Sequence, residues 1–223
     1  MPGDPRPYDQ SAFATNEEDP TGHTTHFSVI DKWGNSVAFT ATVADTFGSG
    51  IMVPGYGFEL NDSLNLFNLT PKFNPVTGNP GANDAGPDKR PVGSMTPTIV
   101  VKNGEPALVT GTYGSAFIPS LVFNVVTDVV DHGMTLQQAV DAPRMWGAVA
   151  NVAPPSANFA RNDGFPQATI DAMRALGDQI ALRTTAGFGS TSSAGVDLGT
   201  LGLIGASDRR QWSDPLATVI PWS

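Results

Sequence analysis

The chain has 223 residues, no cysteine and a formal net charge of −9, with 21 Asp+Glu against 12 Lys+Arg. That length is enough for one large domain or two small ones with a real core. The lack of thiols excludes disulfides, cysteine nucleophiles and thiolate metal sites, and the lack of any Lys/Arg cluster argues against nucleic acid or an anionic membrane as a partner.

Residues 1–23 are rich in Pro, Asp, Asn, Gly and Thr with few large apolar side chains, which reads as an irregular leader and not as a core element. The opening "MPGDPRPYDQ" lacks the charged and apolar regions of a signal peptide, and no stretch approaches ~18 consecutive apolar residues, so no membrane span is expected. His23, His26 and His132 fall at no metal-ligand spacing, and neither a metal nor a cofactor is expected.

From Thr24 the pattern changes. Phe27 and Val29, then Val37, Phe39, Ala41 and Val43 beyond "DKWGN", recur with period two, which predicts a β-hairpin. A turn centred on Trp33 sets Thr24 opposite Thr42 and His26 opposite Thr40; a bulge at Gly34 would shift the pairing by one. Residues 44–95 are dense in Gly, Pro, Asn and Asp, and a loop this long is usually functional or disordered.

A second hairpin is predicted over Thr96–Val101 and Pro106–Gly111, turning at Asn103-Gly104. A helix follows from about Ile118 to His132, with Pro119 in its first turn and Gly133 as its stop; its apolar residues nearly encircle it, which predicts burial. "TLQQAVDAP" reads as a short helix ending before Pro143, and "PQATIDAMRALGD" as a third from Pro166 towards Asp178. "QIALRTT" and "LGLIGASD" read as closing strands, and no internal repeat or linker demands a second domain.

A threonine at a strand start is commonplace, and a hydroxyl is a weak nucleophile without a base. No Ser-His-Asp arrangement can be assigned, because His132 sits at a helix end and His23 and His26 adjoin the hydroxyls in sequence. One solution needs no histidine: cleavage of the peptide bond before a threonine frees an α-amine that serves as base for that residue's own hydroxyl. That solution accounts for a leader ahead of Thr24, with Thr42 as the hydrogen-bond partner of its hydroxyl.

The segments "TTHFSVIDKWGNSVAFTATVADTFGSGIMVPGYG", "PDKRPVGSMTPTIVV", "LVTGTYGS", "DAPRM" and "GASDRR", in this order and spacing, resemble the small subunit of the gamma-glutamyltransferase family (gamma-glutamyl transpeptidase, glutathione hydrolase) from Thr24 to about Arg210. The resemblance implies an α+β N-terminal-nucleophile hydrolase, a four-layer αββα sandwich of which this chain is the small-subunit part. It implies a precursor that cuts itself between His23 and Thr24, so that residues 1–23 are the tail of the large-subunit segment and residues 24–223 the small-subunit catalytic domain. The implied partners are the large subunit of the same precursor and a small gamma-glutamyl or related acyl amide. A periplasmic or extracellular location is suggested by the resemblance alone.

Carried over by position, Thr24 matches the family's nucleophile and Thr42 the threonine that supports its hydroxyl. Gly114 and Ser115 match the pair whose backbone N–H groups form the oxyanion hole, where the family usually has two glycines; because the donors are backbone groups, Ser115 does not abolish the hole. The positions that hold the substrate's α-amino group are Ala44, Ser63 and Leu66 here, none a carboxylate or amide, although Asp45, Asp62 and Asn65 lie beside them. At the pair of serines that contacts the α-carboxylate stand Gly93 and Ser94, with one hydroxyl lost. Arg144 and Arg210 match arginines of the family and read as structural ion-pair partners.

Three functions stay open on this reading. They are gamma-glutamyl transfer or hydrolysis through an acyl-enzyme, an acylase of altered specificity like the cephalosporin acylases that resemble this family, and a non-catalytic degenerate or fragmentary homologue that acts by binding.

Overall fold

The structure is a computed structural model that describes residues 24–68, 70–73, 76–146, 157–161, 164–183, 191–196 and 202–209; the expected leader and Arg210 lie outside these residues. The first hairpin forms as its alternation predicts, from β1 (Thr24–Ile30) and β2 (Ser36–Thr42). Thr24 pairs with Thr42 and His26 with Thr40, with no bulge. The turn closes because the Asp31 carboxylate accepts the Trp33 and Asn35 N–H groups, each at 2.9 Å, and the Asn35 side-chain amide at 2.7 Å.

The second hairpin joins β3 (Thr98–Lys102) to β4 (Glu105–Thr112). Asn103 at φ 56° and Gly104 at φ 89° supply the two left-handed residues of a type I′ turn. Helix α1 (Ile118–Val130) follows with Pro at its start, and Gly133 at φ 64° lies just beyond its end. Helix α2 (Leu136–Asp141) begins with a capping box between Thr135 and Gln138. Helix α3 (Gln167–Ala175) leads into β7 (Gln179–Arg183), and β9 (Leu203–Ser207) is the last described strand. Three strands were not anticipated: β5 (Met145–Trp146), β6 (Ala157–Arg161) and β8 (Thr191–Val196).

These elements build an α+β architecture in layers. The central sheet has the order β3-β4-β8-β9, antiparallel throughout. On one face lie α1 and α2, where Leu108 of β4 and Ala206 of β9 pack with Val125, Leu136, Ala139 and Val140. Thr110 and Ser193 are buried in neighbouring strands and satisfy each other through their hydroxyls at 2.8 Å. Successive strand residues alternate in face, so Gly111 turns to the opposite side, where the β1–β2 hairpin packs. A smaller sheet, β5-β6-β7, has β6 parallel to β7 across α3 and joins α1 through Asn124, which bonds Met145 at both its N–H and its carbonyl.

The hairpin has its polarity reversed. Its small polar residues Thr24, His26, Ser28 and Thr40 share the face that meets the central sheet. Phe27, Val29, Val37 and Phe39 are each about half exposed on the other face, with Phe27 and Phe39 stacked at 5.1 Å between ring centroids. Described from outside inwards, the layers run hairpin, sheet, helices, and the apolar outer face of the hairpin is left uncovered among the described residues.

Burial of α1 is one-sided, contrary to the encircling pattern. Ile118, Leu121, Val122 and Val125 are buried, whereas Phe123 and Val130 are 66% and 56% exposed. The helix covers the sheet with one stripe only, so its remaining apolar residues face away. Arg144, read as an ion-pair partner, forms one with Asp208 at 2.9 Å, both almost fully buried, tying the α2–β5 junction to the end of β9.

The long loop after β2 contains one helical turn, Ser63–Leu66, and is ordered by two buried side chains. Asn83 donates to the Leu66 carbonyl at 2.6 Å and accepts the Val92 N–H at 2.8 Å. Asp84 accepts from the Asn68 amide and from the Lys72 and Gly81 N–H groups. Burial works to raise the Asp84 pKa, but these hydrogen bonds and the charge of Lys89 hold it below the ordinary carboxylate value.

Candidate active site

Thr24 opens β1 and Thr42 closes β2, and the antiparallel register brings their hydroxyls together: Thr24 Oγ1 donates to Thr42 Oγ1 at 3.0 Å. Thr42 Oγ1 also accepts the Ala44 N–H at 2.9 Å, where Ala44 turns away from the strand at φ 69°. The Thr42 hydroxyl is thus fixed from the backbone and in turn fixes that of Thr24.

His26 is the described histidine nearest Thr24 in sequence, and its environment disqualifies it as a base near neutrality. Its Nδ1 meets Thr40 Oγ1 at 2.7 Å and its Nε2 meets Ser28 Oγ at 2.9 Å, while Ser28 donates onward to the Ser192 carbonyl at 2.9 Å. Burial lowers its pKa from 6.5 to about 4, so the ring is neutral at pH 7 and has little affinity for a proton. The ring lies against Gly111, three residues before Gly114, which links β1 to the strand that ends in the Gly114 turn.

Gly114 and Ser115 lie where β4 passes into α1 through a helical turn at Ser115–Phe117. Gly114 has φ 134° and Ser115 φ 55°, a conformation that glycine adopts without cost and that a serine at the second position tolerates less well. The Phe117 N–H donates to the Gly114 carbonyl at 3.1 Å. Thr112 Oγ1 donates to the Tyr113 carbonyl at 2.8 Å, and Ser94 Oγ to the Ser115 carbonyl at 2.7 Å. Ser94, which the sequence singles out as a ligand contact, makes this bond from the loop that precedes β3. Thr112 drew no attention in the sequence, where it is one more strand threonine.

The remaining positions are more dispersed. No atom lies within 4 Å of where a side chain on Gly93 would begin, so the space there is open. Ser63 sits in the helical turn of the long loop, its N–H donating to Asn61 Oδ1 at 3.0 Å. Beside it, the Asn65 amide donates to Asp45 Oδ2 and Asp62 Oδ2, each at 3.0 Å, and the Asp45 N–H donates to Asp62 Oδ1 at 3.0 Å. This cluster fastens the loop to the segment directly after Ala44 and Thr42.

A family model described as gamma-glutamyltranspeptidase matches residues 2–218. The glutathione hydrolase proenzyme of Escherichia coli strain K12 is 39% identical over 200 residues, 87% of this chain and 32% of that protein. A crystal structure of a Helicobacter pylori gamma-glutamyltranspeptidase mutant aligns with a TM-score of 0.70 at 34% identity, covering 84% of this chain and 100% of that one. An acylase, the ACY 1 proenzyme of Pseudomonas sp. strain SE83, is 32% identical over 159 residues, 70% of this chain and 25% of that protein. The chain therefore spans about a third of the length of the curated glutathione hydrolase it matches.

Proposed function

The chain belongs to the gamma-glutamyltranspeptidase family, a family of enzymes, and on that premise we propose that it carries the nucleophile of a self-processing amide hydrolase or acyl transferase. The observation that carries this reading is the Thr24–Thr42 hydroxyl pair at the open end of a hairpin, beside a histidine too weakly basic to serve it. The base is then the α-amine of Thr24 itself, made available once the bond between His23 and Thr24 is hydrolysed.

In the acylation step the Thr24 hydroxyl attacks the amide carbonyl and gives its proton to the α-amine. The Gly114 and Ser115 N–H groups receive the oxyanion. Collapse of the tetrahedral adduct breaks the C–N bond and returns the proton to the departing amine, leaving an ester on Thr24. Water, or a second amine in the transfer reaction, attacks that ester by the same route and restores the free hydroxyl.

The partner of this chain is the remainder of the precursor, the large subunit. Three facts support it: the relatives are named proenzymes, the chain spans a third of their length, and the solved relative matched over its full length is a chain of similar extent. The uncovered apolar face of Phe27, Val29, Val37 and Phe39 is the surface such a partner would bury.

The acyl group is gamma-glutamyl or a related acid. A second reading, an acylase that does not demand an amino-acid head group, is favoured by Ala44, Leu66 and Gly93. Both are tested by incubating the processed two-subunit protein with gamma-glutamyl-, glutaryl- and acetyl-p-nitroanilide and weighing the quenched small chain. Acyl mass on a chain that begins at Thr24, missing from Thr24→Ala, supports the mechanism, and the anilide that leaves it identifies the acyl class. No acyl mass from any of the three contradicts it.

A further inference from the structure

We propose that the oxyanion turn is held in place by hydroxyls outside it, Thr112 fixing the peptide plane of the Gly114 N–H and Ser94 anchoring Ser115 from its carbonyl side, so that both are positioning residues of the reaction. This rests on the assignment of the Gly114 and Ser115 N–H groups as oxyanion donors.

A trans peptide unit is planar with its C=O and N–H pointing in opposite directions, so holding a carbonyl in place aims the N–H of the following residue. The Tyr113 carbonyl shares its peptide plane with the Gly114 N–H, and Thr112 Oγ1 donates to it at 2.8 Å. The Gly114 carbonyl shares its plane with the Ser115 N–H, and the Phe117 N–H donates to it at 3.1 Å. The Ser115 carbonyl, next in line, accepts Ser94 Oγ at 2.7 Å. Three consecutive peptide planes are therefore each held by a donor: Thr112 holds that of the Gly114 N–H, the Phe117 backbone N–H that of the Ser115 N–H, and Ser94 the plane beyond it, which carries the Ala116 N–H and fixes Ser115 from its far side.

The turn needs such ties. Gly114 at φ 134° and Ser115 at φ 55° occupy sparsely populated backbone conformations that persist only where the surroundings enforce them. Thr112 is fully buried, and its hydroxyl sits beyond the reach of bulk water that might replace it. Ser94 reaches the turn from the loop that precedes β3, so it couples the placement of that loop to the geometry of the oxyanion site.

The assignment separates cleanly from a ligand-binding role in steady-state kinetics. A group that contacts the substrate's head raises KM when removed, whereas one that only aims transition-state donors lowers kcat and kcat/KM together. The experiment uses the processed two-subunit protein and whichever of gamma-glutamyl-, glutaryl- or acetyl-p-nitroanilide the parent cleaves fastest. Thr112→Val keeps the side-chain shape and is expected to lower kcat about 10- to 100-fold with KM within about twofold, because losing a donor outright costs ~100- to 1,000-fold. Thr112→Ser, which keeps the hydroxyl, is expected to recover most of that loss, and Ser94→Ala to lower kcat several-fold at constant KM.

Parent-like kcat in both Thr112→Val and Ser94→Ala, or a Ser94→Ala defect confined to KM, overturns the proposal. Should Thr112→Val fail to fold by thermal melting, the Ser94→Ala split between kcat and KM decides alone. A parent protein with no Thr24-dependent turnover of any anilide overturns the functional reading itself, a result distinct from parent turnover that the variants leave untouched.

Discussion

The His26 ring occupies the place where a side chain on Gly111 would have to begin, well inside van der Waals contact. This interlock joins β1 to β4 by shape, and it requires glycine for space, not for backbone conformation. Gly111→Ala should therefore destabilise the fold by about 1–3 kcal/mol, the usual cost of overpacking. Combining it with His26→Ala should recover part of that loss, and a urea-denaturation double-mutant cycle would read the coupling. Additive effects would show that the two residues do not compete for the same space.

His26 also makes the fold sensitive to acid. The unfolded chain takes up the proton below the ordinary pKa of 6.5, while the folded chain refuses it until about pH 4. Stability is therefore complete above pH 6.5, falls as the pH drops through this window, and by its lower end has lost on the order of 3 kcal/mol. Urea midpoints measured across the same window should fall with pH in the parent and much less in His26→Gln, which cannot charge. Equal slopes in the two proteins would assign the acid sensitivity to other groups, among them Asp84.

Thr42 holds the Thr24 hydroxyl from one side and is itself held by the Ala44 N–H. Thr42→Val should leave the hairpin paired and lower turnover by about 10- to 100-fold through misplacement of the nucleophile. Thr42→Ser should stay within a few-fold of the parent. The comparison is made by kcat on the fastest anilide, with circular dichroism to establish that both variants fold.

The buried Arg144–Asp208 pair should behave asymmetrically. Removing one partner by Arg144→Met or Asp208→Leu takes from the other its buried ion-pair partner and should cost about 3–5 kcal/mol, whereas replacing both should cost far less than the sum. Thermal melts of the two single variants and the double variant test this. A double variant as unstable as the summed singles would mean that each residue acts independently.

Legibility in the sequence followed the physics of each element. The β1–β2 register could be read because strict alternation and a polar turn leave few alternatives, and the Asn103-Gly104 turn carries its own chemistry. Strand β8, "TSSAGV", escaped because small polar residues filling a central strand between β4 and β9 give no hydrophobic period. Strand β6 and the two-residue β5 are too short or too mixed to stand out. Helix α1 was read as buried all round because its sequence records apolar positions without saying which layers are present to cover them. At the site, the Thr24–Thr42 pairing follows from register, whereas the bonds of Thr112 and Ser94 depend on how a left-handed turn folds back, which no spacing rule expresses.

The uncovered side of the hairpin leads to a further expectation. Replacing both Phe27 and Phe39 with Thr should leave β1–β2 paired, since Thr suits strands, yet weaken association with the large-subunit segment. Co-purification of the tagged large subunit with parent and variant measures the change. Unchanged recovery would place the contact elsewhere.

The central claim is that Thr24 becomes an N-terminal nucleophile. Its most direct test is the intact mass of this chain expressed with its upstream large-subunit segment, beside the same protein carrying Thr24→Ala. The account predicts a small chain whose mass begins at Thr24 in the parent and an uncut precursor in the variant. An uncut parent would contradict it, because the α-amine base would never be released, and cutting that persists in Thr24→Ala would contradict self-processing by this residue.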